Sequence, residues 1–187
     1  MASPAATARR PSQLAVGSVV WLASEAMFFA GLFAAWFFIR SETSPWPPEG
    51  VHLDTVRTLV ATVVLVVSSF TMHAAHKAAE RHDEALATRW VLITALLAVL
   101  FLGNQALEWG ELDFEVSSHA YGTLFYVLTG FHGLHVLGGV VLMLTVVGAT
   151  AGRSRMHLDD PLLVTSYYWH FVDVVWVAMF LVVYVVS

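Results

Sequence analysis

Apolar residues fall into five long runs, at roughly 16–39, 58–79, 90–110, 120–150 and 162–186, separated by short segments that hold most of the prolines and charges. A hydrocarbon core about 30 Å thick takes about 20 residues of α-helix to cross, so each run predicts one transmembrane helix. Breaker and charge signals predict loops at 41–50, where Pro45, Pro47 and Pro48 cluster, at the charged segment 76–89, at the acidic segment 111–118, and at the link 152–161. The pattern therefore predicts an all-α integral membrane bundle of five transmembrane helices: a tail at 1–15, then one domain at 16–187.

Lysine and arginine set the expected orientation, because short cytoplasmic loops hold an excess of them. Arg9, Arg10, Lys77, Arg81, Arg89, Arg153 and Arg155 fall on one side of such a bundle, and only Arg40 and Arg57 on the other. The N-terminus is expected inside and the C-terminus outside, with Glu111, Asp113 and Glu115 facing out. The tail reads as an uncleaved cytosolic segment: a long apolar stretch follows it without a signal-peptidase pattern, and Pro11-Ser12-Gln13 fits a twin-arginine signal poorly. No internal repeat supports an inverted-repeat transporter.

Composition agrees with a lipid solvent: 58% of the 187 residues are hydrophobic and 12% charged, where soluble domains carry about 25% charged residues. With no cysteine in the chain, thiolate-bound iron–sulfur, copper or zinc sites and disulfides are excluded, and any metal would rest on His, Asp or Glu. No basic stripe exists to meet nucleic acid.

An ionisable side chain inside a membrane costs about 2.5–3.5 kcal/mol on insertion scales and needs a partner, which makes each one a functional candidate. Glu25 lies in the first helix, His132 and His135 in the fourth, and His170 and Asp173 in the fifth; Glu108 and His119 lie near the outer ends of the third and fourth. At about 1.5 Å per residue, the first five fall roughly 9–17 Å above the inner face and form one layer. Three-residue spacing puts His132 with His135, and His170 with Asp173, on common helical faces. This predicts a polar seam between helices one, four and five, with Glu108 and His119 paired near the other surface. Gly130, Gly133, Gly138 and Gly139 predict close approach of neighbouring backbones to the fourth helix. Phe28, Phe29, Tyr167, Tyr168, Trp169, Phe171 and Trp176 read as core, interface-belt or lipid contacts. The competing chemical readings of the polar layer are a proton route through Glu25, a haem held between histidines, or a non-haem metal; no pair of E-x-x-H motifs supports the last.

Three segments carry a more specific signal. Ser24-Glu25-Ala26-Met27-Phe28-Phe29-Ala30-Gly31, Thr129-Gly130-Phe131-His132-Gly133-Leu134-His135-Val136 and Tyr168-Trp169-His170-Phe171-Val172-Asp173-Val174-Val175-Trp176 resemble, in this order, motifs of subunit III of the haem-copper terminal oxidases, the cytochrome c oxidase family. Gln105, Glu108-Trp109 and Tyr121-Gly122-Thr123 are similar to its intervening segments, and the resemblance extends from about Val16 onward. It implies an accessory subunit without redox centres in the aerobic respiratory chain. Such a subunit binds phospholipid and supports proton uptake on the inner side of a proton-pumping oxidase. Implied partners are the catalytic subunit I, which it stabilises, and the copper-bearing subunit II, with haems and copper held there, no metal or other cofactor held by this chain, and other respiratory subunits as possible neighbours. The implied location is a bacterial plasma membrane, spanned several times. Glu25 stands at the family's intramembrane carboxylate, as the proton-linked or lipid-facing residue. The longest members have seven helices and this chain begins at what would be their third, so the lipid-filled cleft of those proteins is complete here only if another subunit supplies the missing arm. Five-helix relatives include quinol oxidases, so the electron donor stays open; a membrane cytochrome and a component of a nitric oxide reductase system are the alternatives.

Overall fold

The computed structural model describes residues 13–151 and 159–186. Their order is α1 (Gln13–Glu42), α2 (Thr55–Glu80), α3 (Glu84–Glu111), α4 (Ala120–Ala151) and α5 (Asp159–Phe180), the last continued by one π-helical segment, Leu181–Val185. Each is long and apolar enough to cross a membrane, and only helices or closed barrels satisfy every backbone polar group in lipid.

The helices are longer than the apolar runs alone predict. The charged segment expected as a loop at 76–89 is mostly helix: α2 continues to Glu80, α3 starts at Glu84, and the connection shrinks to Arg81, His82 and Asp83. Asp83 makes this possible by accepting a 3.0 Å hydrogen bond from the Leu86 N–H at the start of α3, while His82 takes the positive φ of 59° that the reversal requires. Asp54 caps α2 in the same way through the Arg57 N–H at 3.0 Å. Charged residues at such ends satisfy the helix termini and stay out of the hydrocarbon, so a charge run does not have to break a helix. Residues 13–15 of the expected tail are already helical in α1; residues 1–12 and most of the 152–161 link, with Arg9, Arg10, Arg153 and Arg155, lie outside the described residues.

The centre of the bundle is α5, packed on α1, α2 and α4, while α3 bridges α2 and α4. Trp169, Trp176, Met179 and Val183 of this last span are fully buried. Two indole N–H groups pin it to α2: Trp169 donates to Ser68 Oγ and Trp176 to Thr62 Oγ1, each at 2.9 Å. By contrast α1 buries only Ser18, Phe29 and Trp36 among its described side chains and is apolar on all sides, the signature of a helix solvated by lipid or by other protein.

The glycines of α4 receive side chains, not the neighbouring backbones that the sequence suggests. A Cβ at Gly139 would lie 2.7 Å from the Trp169 ring, one at Gly130 would lie 3.4 Å from Trp109, and one at Gly138 would lie 3.1 Å from the Tyr168 hydroxyl. Small residues here make room for large aromatics.

Candidate functional site

The three motif segments meet at one place. Glu25 of α1 and His135 of α4 approach to 3.1 Å, carboxylate Oε2 to imidazole Nε2, and the Tyr168 hydroxyl of α5 donates to the His135 carbonyl at 2.8 Å. Both members of the pair are mostly shielded, with side-chain exposures of 23% for Glu25 and 16% for His135. Phe29 packs edge-on against the imidazole and Trp21 stacks on Tyr168.

The hydrogen bonds count the protons. His135 Nδ1 lies 2.7 Å from the Phe131 carbonyl oxygen, which can only accept, so Nδ1 bears a hydrogen. The contact at Nε2 then holds one proton, either on the ring facing a carboxylate or on a carboxylic acid facing a bare nitrogen. Glu25 and His135 therefore form a one-proton unit inside the membrane, with the imidazole held by a backbone carbonyl.

His132 does not belong to that network. Its ring is fully buried between Phe101, at 5.8 Å, and Trp176, at 4.9 Å, and neither nitrogen has a hydrogen-bond partner among the described residues. The three-residue offset from His135 turns it towards α3 and α5, whereas His135 turns to α1.

Nor do His170 and Asp173 join the α1–α4 contact; they face α2. Ser69 donates a short hydrogen bond to Asp173 Oδ2, and its Oγ lies 2.9 Å from His170 Nδ1. The expected single seam is thus two separate clusters, because a helix as central as α5 presents different sides to α1 and α2. His132, His135 and His170 occupy three different interhelical spaces, so no two of them face across a shared pocket as axial ligands of a haem do. Among the described residues no three His, Asp or Glu stand together as a metal would need.

At the end where α2 begins and α3 ends, Glu108 is buried to 4% exposure. Tyr184 OH lies 3.0 Å from both carboxylate oxygens, Thr58 Oγ1 lies 3.0 Å from Oε1, and Gln105 Nε2 lies 3.1 Å from Oε2. The expected Glu108–His119 pair is absent: His119 Nδ1 accepts from the Gly122 N–H at 2.8 Å and so caps α4. Beside Glu108, Arg57 bonds Asn104 at 2.9 Å and pairs with Glu111. Thr58, Ser69 and Tyr184 were not singled out by sequence, and Tyr168 only as an aromatic and as part of the third motif; their hydroxyls carry no charge and look like those of any apolar helix.

The sequence profile of the family described as "Cytochrome c oxidase subunit III" matches residues 5–187. A protein named "Probable cytochrome c oxidase subunit 3" from Mycobacterium tuberculosis is 44% identical over 181 residues, covering 94% of this chain and 89% of its own length. Another of that name from Nocardia farcinica is 42% identical over 182 residues, covering 95% and 90%. "Cytochrome c oxidase subunit 3" from Corynebacterium diphtheriae is 38% identical over 196 residues, covering 100% and 96%. With the three motifs converging on one interhelical contact and the likeness running almost end to end, this chain belongs to the cytochrome c oxidase subunit III family.

Proposed function

We propose that this chain is the non-redox accessory subunit III of a proton-pumping cytochrome c oxidase, docked on the haem-copper subunit I with the copper-bearing subunit II in the same complex. The observation that carries this reading beyond family membership is the Glu25–His135 contact, 110 residues apart in the chain, which unites the first and second motifs and is braced by Tyr168 of the third. The pair stores a proton where the surrounding hydrocarbon offers no water to do so. Its position in the inner half of α1 and α4 follows from the lysine and arginine distribution, with the N-terminus inside a bacterial plasma membrane. From there it supports proton uptake by the catalytic subunit and carries out no redox step.

Phospholipid binding is supported by an apolar groove of about 640 Å³ between α3 and α4, lined among others by Leu102, Trp109, Phe131, Leu134 and Leu137. Its apolar walls of aliphatic and aromatic side chains suit an acyl chain.

In the purified oxidase, Glu25→Gln removes the carboxylate while keeping a side chain that bonds His135. The expected result is an assembled complex with an unchanged reduced-minus-oxidised haem spectrum and slower proton uptake during sustained turnover, read by stopped-flow pH indicator. Unchanged uptake, or loss of haem absorption from an intact complex, would contradict the reading.

A further inference from the structure

Glu108 meets three hydrogen-bonding side chains, and one of them can reverse. Tyr184 OH and Gln105 Nε2 lie 3.0 and 3.1 Å from Oε2 and act as donors. Thr58 Oγ1 lies 3.0 Å from Oε1 and also 3.0 Å from the Asp54 carbonyl oxygen. A hydroxyl has one hydrogen to give and lone pairs with which to accept. With Glu108 ionised, Thr58 donates to Oε1. With Glu108 protonated at Oε1, the acid donates to Thr58 Oγ1, whose own hydrogen turns to the Asp54 carbonyl. Tyr184 and Gln105 donate to Oε2 in both cases. The same heavy-atom positions therefore satisfy both protonation states, which differ by the rotation of one hydroxyl.

Water reaches this carboxyl group from one side. The hollow of about 340 Å³ lined by His52, Asp54, Arg57, Glu111 and Asp113 has Glu108 in its wall, and a hollow so polar and roomy suits ordered water. Glu108 is three residues from the end of α3 at Glu111, about 4.5 Å along the helix. On the inner side Phe125 and Trp176, both fully buried, pack 6.2 and 6.5 Å from the Tyr184 ring. The wide turn Leu181–Val185 carries Tyr184, and π-helical turns of this kind are frequent at functional sites.

No neighbouring charge fixes the state of Glu108. Arg57 of α2 is held by Asn104 and Glu111, and Arg40 of α1 by the Val186 carbonyl at 2.7 Å; among the described residues neither pairs with Glu108. Asp54 caps α2, His52 and Asp113 enter the hollow from the connecting segments, and α4 brings Tyr121 beside Phe125. We infer that Glu108 is a proton-exchange site, which takes up and releases a proton through the hollow at the end of the bundle where α2 begins, independently of the Glu25–His135 pair. This role goes beyond the accessory-subunit reading, which gives Glu108 no task.

The test is pH-difference infrared spectroscopy of the whole complex, purified through a tag on this chain. A carboxylic-acid C=O band is expected to grow on acidification, to vanish on alkalinisation and to shift in D2O. It should be missing from Glu108→Gln and persist in Glu25→Gln. Tyr184→Phe should keep the band but move it to higher wavenumber, because a carbonyl that loses a donor stretches at higher frequency; this readout identifies the titrating group even if Glu108→Gln fails to assemble. A set of titrating bands that is identical in the wild type and Glu108→Gln, or unmoved in Tyr184→Phe, overturns the assignment. A Glu108 band without a D2O shift overturns access through the hollow, and one that also disappears in Glu25→Gln overturns its independence.

Discussion

Replacing Glu108 with alanine is expected to lower the stability of the purified chain in mild detergent by about 2–3 kcal/mol, through the loss of three hydrogen-bond partners at once. Tyr184, Thr58 and Gln105 converge on this one carboxyl group from the π-helical end of the last span, from α2 and from α3. Interhelical hydrogen bonds in membranes average about 0.6 kcal/mol each, but donors stranded in an apolar site each cost about 1–3 kcal/mol. The sum falls between those bounds because Arg57 and the hollow of about 340 Å³ around His52, Asp54 and Glu111 let water reach some of the stranded groups. Glu108→Gln keeps the shape and one accepting oxygen while turning the other into a donor, and is expected to cost less than the alanine substitution. Loss of helicity against increasing sodium dodecyl sulfate measures both, and equal losses for the two substitutions would show that the network is not what holds this end together.

Gly139→Ala is expected to destabilise by about 1–3 kcal/mol although it adds a single methyl group to a helix. A Cβ there meets the Trp169 ring at 2.7 and 2.8 Å and Tyr168 at 3.3 Å. Trp169 has nowhere to retreat, since it is fully buried and its N–H is tied to Ser68 on α2. The added methyl must therefore push α4 away from α5 or break the Trp169–Ser68 bond. Gly103→Ala provides the contrast: on α3 a Cβ at this position meets nothing within 4 Å, and the higher helix propensity of alanine predicts a change of at most about 1 kcal/mol in the stabilising direction. The same denaturation series reads both. If Gly139→Ala proves as neutral as Gly103→Ala, the α4–α5 contact is looser than the ring positions imply.

The five spans were legible because length and hydropathy determine them together, and lipid allows no other regular structure for isolated apolar runs of that size. Their ends were not: the 76–89 segment has the composition of a loop, and only the capping carboxylate of Asp83 and the φ of His82 show how two helices turn within three residues. The same division holds in the polar layer. Sequence picks out Glu25, His135, His170, Asp173 and Glu108, since charge in an apolar run is conspicuous. It does not say which neighbour each one faces, because that depends on the rotation of each helix about its axis. His132 and His135 illustrate this: three residues apart and expected in one seam, they end in an aromatic sandwich and an acid–base pair respectively. The partners that complete the sites are hydroxyls, and a membrane serine or threonine usually bonds its own preceding turn, as Thr62 does to the Thr58 carbonyl at 2.8 Å. Ser69 and Thr58 look no different until the fold places them opposite a carboxylate.

The most direct test of the accessory-subunit account is to capture this chain from gently solubilised native membranes by an affinity tag, and to record both the polypeptides that accompany it and the reduced-minus-oxidised spectrum before and after this chain is stripped away. The account predicts haem-copper subunits in equal amounts with this chain and a haem signal that stays entirely with them. A haem spectrum that follows this chain alone, or a chain that elutes colourless and without partners, would contradict it.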